Sequence, residues 1–551
     1  MKTRIYFIST VFVFLYFVLI SNIYNLQITK GSYYAVKAEA QSRLSGFLEA
    51  LRGNIYFTDK YGNFNPAAMN KEYYIIFAVP KEIYSKGEEA ATLAAESVAG
   101  VLGLDKQKVI NGFLNSTNQY FELIKKATQD QVDAVKKLQI KGIYIDQKNF
   151  RFYPFQDVGA QVLGFVSPGS EDGVISGRYG IEFYSNERLA GKNGELKDNK
   201  VIDPEQGRDV FLTIDSTVQS RAESSLADLV NKYNAEGGCV IVQDPKTGKI
   251  IAMDSYPSFN PNNYSEFQIK DFLNPTVQSI YEPGSVFKVL TMAAGLDAGK
   301  LTPETTYVDK GFIKLDGYTI RNWDAEEKGA HGLTTMTQVI ENSLNTGASY
   351  AQQLIGKDLF YNYLIKFGFN EKTGIELPGE VSSNIKKLKT TNSAVDFATA
   401  SFGQGIAVTP IAMINAFSVL ANGGNLMKPY IMADTRPEIV RRVVSEESAK
   451  QAVKMMVSAV DKNIVAHIPG YYVAGKTGTA QIPAKGGYLY NQFIDTYIGF
   501  APAYDPKFVI LLRIDKPAGG LLAGQTVVPV FKDLAEFLIN YYNIPPDYIE
   551  K

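Results

Sequence analysis

The sequence has 551 residues, of which 45% are apolar, with 56 basic against 57 acidic side chains, one Cys and two His. These counts exclude a disulfide-stapled miniprotein, a collagen-like fibre and an acidic disordered tail. The net charge of −1 leaves no basic footprint for nucleic acid, so we expect no nucleic-acid partner. At about 100 to 200 residues per domain, the length predicts two to four domains.

The amino terminus carries a long apolar segment. No charged residue occurs between Arg4 and Lys30, and about 20 apolar residues are enough to cross a bilayer. We therefore expect a cytoplasmic tail at residues 1–4, a membrane anchor at residues 5–25, and a single-pass protein whose body is extracytoplasmic. A cleaved signal peptide is the alternative, but the nearest small-x-small triplet, Ala38-Glu39-Ala40, lies far beyond the apolar run.

The rest of the chain divides into two predicted domains. Residues 26–205 mix helical patterns, such as 90–104, with extended ones, such as 142–153, and contain no recognisable chemical site. The segment Leu189 to Arg208 is rich in Gly, Pro and charge, so we place the domain boundary there. A second domain is expected over residues 206–551.

The second domain begins and ends with strand patterns. Its predicted elements are a strand after Asp209, a helix over 216–233, a hairpin of strands 239–242 and 250–253, a strand over 508–514 and a helix over 530–542. Strands at both ends with helices between them predict an α+β body around an antiparallel sheet.

The single cysteine and the two histidines suggest no metal chemistry. Cys239 lies in an apolar strand pattern and is expected to be a buried core residue, because free Cys is among the most buried residue types. Cys239, His331 and His467 are scattered, with none of the spacings that zinc sites use.

Three catalytic or nucleotide-binding motifs fail on context. Residues 470–477 formally match the phosphate-loop pattern, but the residues after Lys476 continue as a strand where a helix is needed. A Ser-His-Asp hydrolase lacks its G-x-S-x-G elbow. A dinucleotide fingerprint is also missing, since Gly403-Gln-Gly405 has no third glycine.

A fourth pattern, serine chemistry with lysine in place of histidine, needs S-x-x-K, S-x-N and K-T-G in that order. Each triplet recurs: S-x-x-K at Ser285 and Ser383, S-x-N at Ser116, Ser258, Ser343 and Ser382, K-T-G at Lys246, Lys372 and Lys476. Ser383 has no S-x-N after it, Lys246 precedes every candidate serine, and Lys372 follows Ser343 too closely. Only one ordered set remains, namely Ser285 with Lys288, Ser343 with Asn345, and Lys476 to Thr479.

Each member of this set lies in a local pattern that suits the chemistry. Ser285 precedes an apolar helical run, whose positive end stabilises an alkoxide, and Lys288 follows one turn later. Lys288 acts as a base only if burial or a second cation, here Lys476, lowers its pKa. Strand alternation puts the hydroxyls of Thr477 and Thr479 on one face, and Gly478 leaves room for substrate backbone. Ideal alternation points the Lys476 side chain to the opposite face, so either its amine must bend back or the strand must twist.

Simpler interpretations exist for every part. Ser285 could be only a helix N-cap, Ser343 and Asn345 only turn residues, and Lys476 only a solvated lysine on an edge strand. The order of the three motifs together with the matching local patterns favours a site.

With these motifs, the chain resembles a class B penicillin-binding protein, nearest to the cell-division and sporulation branch. The resemblance spans nearly the whole chain and extends to further segments: Arg52-Gly53, 151–154 (RFYP), 177–182 (GRYGIE), 213–215 (TID), 244–248 (DPKTG), 281–284 (YEPG), 403–405 with Thr409-Pro410, and 498–502 (IGFAP). It implies a penicillin-binding transpeptidase or β-lactamase-like domain over 206–551, on a mixed α/β pedestal of the dimerisation type over 26–205.

The resemblance also implies an activity, peptidoglycan D,D-transpeptidation through a serine acyl-enzyme. Ser285 would be the nucleophile, Lys288 its base and Ser343 a proton relay, while Asn345 would hold the peptide amide. Lys476, Thr477 and Thr479 would bind the donor carboxylate beside Gly478. No metal or organic cofactor is implied. The implied partners are peptidoglycan stem peptides, β-lactams, the membrane and a multispanning glycan polymerase.

Two other classes of function stay open from the sequence. A D,D-carboxypeptidase or a β-lactamase would share the site and pass the acyl group to water. A membrane-bound β-lactam sensor or a scaffold would keep a reactive serine without turnover. The residues also leave open whether elongation, division or sporulation is served.

Overall fold

The computed structural model describes residues 2–31, 49–169, 175–197, 200–484 and 487–549. Contacts divide the chain into two compact units. One takes the residues up to Asn54, Ala68–Phe152 and Glu187–Asp209, and the other takes Ile55–Ala67, Tyr153–Asn186 and the residues from Val210 onward. The domain boundary near residue 205 stays a prediction.

The amino-terminal helix α1 (Lys2–Tyr24) continues into a π-helical turn, Asn25–Thr29. Residues Ser9–Thr29 have a mean hydropathy of 1.8 and are not buried by the protein. This helix is long and apolar enough to cross a membrane, as expected of an anchor. The triplet Ala38-Glu39-Ala40 lies outside the described residues.

From residue 49 to residue 215, the helices and strands are as follows: β1 (Ile55–Thr58), β2 (Phe64–Ala78), α2 (Pro80–Tyr84), α3 (Glu88–Leu102), α4 (Lys106–Leu114), β3 (Phe121–Ala127), α5 (Gln129–Leu138), β4 (Ile143–Phe152), α6 (Ala160–Leu163), β5 (Phe165–Pro168), β6 (Ile175–Arg178), α7 (Gly180–Tyr184), α8 (Asn186–Ala190), β7 (Glu195–Lys197), β8 (Lys200–Ile202) and β9 (Val210–Asp215).

In the first unit, β2 pairs antiparallel with both β3 and β4. Apolar side chains of α3, such as Ala95 and Val98, pack with Ile76 of β2 and Val132 of α5 in one core. Helix α5 begins with a capping box in which Thr128 and Gln131 satisfy each other's backbone N–H groups. The predicted helix over 90–104 and strand over 142–153 are thus present, with small shifts at their ends.

Beyond residue 215, the elements are as follows: α9 (Ser216–Lys232), β10 (Gly237–Gln243), β11 (Ile250–Tyr256), α10 (Pro275–Gln278), α11 (Lys288–Asp297), β12 (Thr306–Asp309), β13 (Phe312–Leu315), β14 (Tyr318–Arg321), α12 (Ala325–Lys328), β15 (Gly332–Thr335), α13 (Met336–Glu341), α14 (Asn345–Ile355), α15 (Lys357–Lys366), α16 (Lys387–Thr390), α17 (Ala394–Ala400), α18 (Pro410–Ala421), β16 (Asn425–Met427), β17 (Ile439–Arg442), α19 (Glu446–Lys462), β18 (Ala474–Ala484), β19 (Gly487–Ala501), β20 (Phe508–Asp515) and α20 (Val527–Tyr541).

The second unit is built around a five-stranded antiparallel sheet in the order β11-β10-β20-β19-β18. Strands from both ends of this part of the chain therefore meet in one sheet, as the sequence predicts. The predicted hairpin is β10 and β11, joined through a turn in which Gly248 N donates to Asp244 O. Cys239 lies on β10 and is buried, and burial raises the pKa of its thiol to about 12.

Helices cover both faces of this sheet. Helices α9 and α20 contribute Leu226, Leu229, Phe531 and Leu534 to a core shared with β10 and β20. Every residue of α18 is buried, as expected of a helix that is apolar on all sides. Helix α11 packs against α14 and α19, so that three helices hold the segment that carries Ser285.

Candidate active site

Ser285 lies in a single 3-10 turn, Gly284–Phe287, that runs directly into α11. The sequence predicts Ser285 at the head of an α-helix, and the structure differs by this tighter turn, in which Lys288 N donates to Ser285 O. Val286 and Phe287 on either side of the helix entry are buried, whereas Ser285 is partly exposed. Buried neighbours therefore fix the turn and leave the hydroxyl accessible.

The turn that carries Ser285 makes close contact with strand β18 at two glycines, Gly284 of the turn and Gly478 of the strand. A Cβ atom at position 478 would lie 2.8 Å from Pro283 O and 3.3 Å from Val286 N, and one at position 284 would lie 3.1 Å from the Ala480 Cβ. Gly284 also has a φ of 61°, which favours glycine. The missing side chains let the serine turn and the K-T-G strand approach backbone to backbone.

Lys288 is completely buried, and its amine donates to two atoms of one residue, Ser343 O at 2.5 Å and Ser343 Oγ at 3.2 Å. Burial, and next the positive charge of Lys476, hold the pKa of Lys288 well below its ordinary value, while the Asp324 carboxylate opposes this shift. Lys288 thus has the lowered pKa that a base requires.

Ser343 connects the two lysines. It lies between α13 and α14 with a φ of 56°, in the left-handed region that non-glycine residues rarely adopt. Its Oγ accepts from Lys288 and, at 3.0 Å, from the Lys476 amine. Because a hydroxyl has two lone pairs and one hydrogen, Ser343 Oγ accepts from both amines and still has its own hydrogen to donate.

Lys476 lies on the buried face of β18, together with Gly478 and Ala480, and this is the face that meets the serine turn. Its amine bends back toward the other face, donating to Thr477 O at 3.2 Å and Thr477 Oγ1 at 3.3 Å. Burial lowers the pKa of Lys476 to about 7. The side chain therefore reaches Ser343 on one side and the Thr477 hydroxyl on the other.

The remaining predicted residues lie around this centre. Asn345 is the first residue of α14, and its Nδ2 donates to Arg321 O at 2.9 Å, which fixes the orientation of the amide. Thr477 and Thr479 share the partly exposed face of β18. The hydroxyl of Thr479 is engaged inside the protein, because it donates to Asp495 Oδ1 at 3.0 Å and accepts from Ala523 N at 3.1 Å.

The two K-T-G triplets rejected from the sequence do not join the cluster. Lys246 is at the surface and pairs with Asp505. Lys372 is exposed. Residues 470–477 lead into strand β18, so the geometry of a phosphate loop is absent from them. Among the described residues, no group of three His, Cys, Asp or Glu side chains lies close enough together to hold a metal ion.

Three carboxylates near the cluster were not predicted. Asp324 is buried, 3.1 Å from His331 Nε2, and influences Lys288. Glu282 accepts from Gly405 N at 3.0 Å and from Tyr488 Oη at 3.2 Å. Asp495 lies behind Thr479. An acidic residue inside the apolar strand 493–501 was the one visible sign of Asp495, since a charge in a buried strand needs a partner.

Comparison with known proteins finds two family models that match separate parts of the chain. Residues 238–536 match the penicillin binding protein transpeptidase domain, and residues 47–210 match the penicillin-binding protein dimerisation domain. Stage V sporulation protein D of Bacillus subtilis is 34% identical over 493 residues, covering 84% of this chain and 74% of that protein. The chain belongs to the class B penicillin-binding proteins, in their division and sporulation branch.

Other class B penicillin-binding proteins agree with this assignment. The probable peptidoglycan D,D-transpeptidase PbpC of Pseudomonas aeruginosa is 30% identical, over 99% of this chain and 96% of its own. The crystal structure of penicillin binding protein 3 from Mycobacterium tuberculosis, complexed with aztreonam, has a TM-score of 0.70 and 25% identity, over 91% of this chain and 98% of that one. The predicted fold, a transpeptidase domain with a dimerisation-type domain and an amino-terminal apolar helix, is confirmed.

Proposed function

We propose that this class B penicillin-binding protein is a peptidoglycan D,D-transpeptidase whose nucleophile is Ser285 and whose base is Lys288. One observation carries the proposal: the amines of Lys288 and Lys476 converge on Ser343 Oγ, next to the turn that presents Ser285. A buried lysine with a lowered pKa can take a proton at neutral pH.

In the first step, Ser285 Oγ attacks the carbonyl carbon of the penultimate D-Ala in a stem peptide, and its proton passes to Lys288. The backbone N–H groups of Ser285 and Thr479 hold the developing oxyanion. The peptide C–N bond then breaks as Ser343 gives its hydroxyl proton to the leaving nitrogen and regains one from Lys288. Free D-Ala departs, leaving an ester on Ser285 and a neutral Lys288. Asn345 holds the peptide amide, and Lys476 with Thr477 binds the terminal carboxylate.

In the second step, an amine of a neighbouring stem peptide attacks this ester. Its excess proton passes to Lys288 and from there back to Ser285 Oγ, so the serine is regenerated and a cross-link is formed. A β-lactam follows the first step only, since its opened ring stays attached to Ser285. The exposed apolar helix α1 supports a single-pass membrane anchor. We place the catalytic domain outside the membrane, where stem peptides and a glycan polymerase would be met.

The decisive experiment is covalent labelling with a tagged penicillin. We expect one added label per chain, mapped to Ser285 by peptide mass spectrometry and lost in Ser285→Ala. The matched control is Ser383→Ala, which removes the serine of the other S-x-x-K triplet and should label normally. A label that survives in Ser285→Ala, or that maps to Ser383, would refute the assignment.

Turnover separates the proposal from the other two functions. Purified protein with stem-peptide donors and acceptor amines should release D-Ala and form cross-linked dimers. Release of D-Ala without dimers would indicate a carboxypeptidase, and a single round of acylation without release would indicate a sensor.

A further inference from the structure

Asp495 is a buried acidic residue directly behind the K-T-G strand. It lies on β19 in register with Thr479 of β18, and its side chain is fully buried. Its two carboxylate oxygens have different partners: Oδ1 accepts from Thr479 Oγ1 at 3.0 Å, and Oδ2 accepts from Thr526 Oγ1 at 2.8 Å. Asp495 thereby ties the strand that lines the site to the residue that precedes α20.

The single hydrogen of the Thr479 hydroxyl is committed by this arrangement. Thr479 Oγ1 donates to Asp495 and accepts from Ala523 N at 3.1 Å, so it has no hydrogen left for an incoming carboxylate. The Thr477 hydroxyl differs, because within the described part of the chain it only accepts, from the Lys476 amine. Of the two threonines on this face, Thr477 keeps a hydrogen that it can donate to a ligand.

Among the described residues, no ion pair is formed by the Asp495 carboxylate. Its register partners are Thr479 on β18 and Ile514 on β20, and Thr526 meets it from the start of α20. The nearest charged residues of β20, Arg513 and Asp515, pair with Thr496 and Ile494, so strand alternation turns them to the other face. Burial raises the pKa of Asp495 to about 6, against hydroxyl donors that lower it. At neutral pH the group is mostly ionised, and its described hydrogen-bond donors are the hydroxyls of Thr479 and Thr526.

We propose that Asp495 is a positioning residue of the acylation site. Its carboxylate accepts the hydrogen bond of the Thr479 hydroxyl and so fixes the Thr479 main chain for contact with the acyl group. The carboxylate of the acyl donor is then bound by Thr477 and Lys476. The inference rests on the proposed function and refines it, since Thr479 then acts through its backbone N–H and its hydroxyl serves the protein. A hydrogen bond to an ionised carboxylate is stronger than one between neutral groups, which suits a residue that must hold an oxyanion donor in place.

The test resolves acylation by tagged penicillin into the binding constant K and the acylation rate constant k2, in Asp495→Asn, Thr479→Val and the double variant. Each single substitution should lower k2 by about tenfold and leave K unchanged, because it loosens the oxyanion donor and not the carboxylate contact. The double variant should be no slower than the singles, since Asp495 acts through the Thr479 hydroxyl. Thr477→Val should instead weaken K and leave k2 unchanged.

Two controls exclude a merely structural effect. Thr479→Ser keeps the hydroxyl and should retain the wild-type k2. Asp215→Asn makes the same chemical change at another buried carboxylate of the second unit, which caps α9 and contacts Tyr541, and should change neither K nor k2. The ratio of k2 in the wild type to k2 in Asp495→Asn should fall toward one as the pH drops below about 6, because the wild-type carboxylate is then protonated.

Three results would overturn the inference: a wild-type k2 in Asp495→Asn, additive losses in the double variant, or a weakened K in Thr479→Val. If Asp495→Asn does not fold, the same pH ratio taken between the wild type and Thr479→Val decides, because that variant keeps Asp495. Failure of the proposed function is a separate outcome, since it would appear as missing label on Ser285 in the wild type.

Discussion

Replacing Lys476 with methionine tests the electrostatic basis of the site. Methionine is similar in size to lysine and carries no charge. In the wild type, the charge of Lys476 lowers the pKa of Lys288. The two amines are no more than about 6 Å apart, because both contact Ser343 Oγ, at 3.0 and 3.2 Å. At that separation two unit charges repel by about 3 kcal/mol for an effective dielectric constant of about 20.

Lys476 has a pKa of about 7 and is only partly charged at neutral pH, which reduces this repulsion there. Loss of the charge makes Lys288 easier to protonate, so in Lys476→Met the pH at which Lys288 loses its proton should rise, by up to about two units for a repulsion of about 3 kcal/mol. The pH dependence of the second-order acylation rate constant k2/K follows the ionisation of groups in the free enzyme. The acid limb of this pH profile should therefore move to higher pH in Lys476→Met, in addition to any loss of carboxylate binding that is the same at every pH.

The assay is stopped-flow acylation by a fluorescent penicillin between pH 5 and 10, with rates measured about every pH unit. The matched control is Lys372→Met, which makes the same change in the exposed K-T-G triplet and should leave the whole profile in place. An acid limb in Lys476→Met that coincides with the wild-type limb would refute the coupling between the two lysines, whatever the loss of affinity.

Three further outcomes follow from the same contacts. Lys288→Ala should slow acylation by about 10² to 10⁴-fold, the range of general-base catalysis, and an unchanged rate constant would point to another base. Gly478→Ala places a Cβ 2.8 Å from the backbone carbonyl of Pro283, so acylation and the thermal midpoint should both fall, and normal kinetics would contradict the close packing. Asp495→Asn should raise the free energy of unfolding by up to about 3 kcal/mol above pH 6, measured by urea denaturation, because the folded state raises the pKa from 3.8 to about 6 and ionisation there opposes folding. That gain should vanish below about pH 4, and a loss of stability at neutral pH would contradict it.

Local patterns were sufficient to predict the parts of the site that depend on near neighbours in the chain. The spacing of Ser285 and Lys288 is a property of one helical turn, and it holds even though the turn is 3-10 and the α-helix begins at Lys288. The alternation of β18 correctly separates the face of Thr477 and Thr479 from that of Lys476. The hairpin of β10 and β11 follows from its turn residues.

Parts that depend on register between distant strands could not be predicted. The importance of Asp495 arises because β19 pairs with β18 so that position 495 faces position 479, and a shift of one residue would turn the carboxylate to the opposite face. The influence of Asp324 on Lys288 comes from tertiary packing between segments that have no local pattern in common. The left-handed conformation of Ser343 is likewise imposed by the helices on either side, since serine has no preference for it.

The two buried lysines also make the candidate active site a region of local frustration. Burial of the Lys476 charge beside a second amine opposes folding, because it lowers the pKa of Lys476 to about 7, and the well-packed sheet and helices around it compensate for this. In the proposed mechanism the carboxylate of the acyl donor supplies a countercharge to Lys476 and so relieves this conflict. Under the proposed mechanism, selection of donors that end in a carboxylate would then be a consequence of the fold itself.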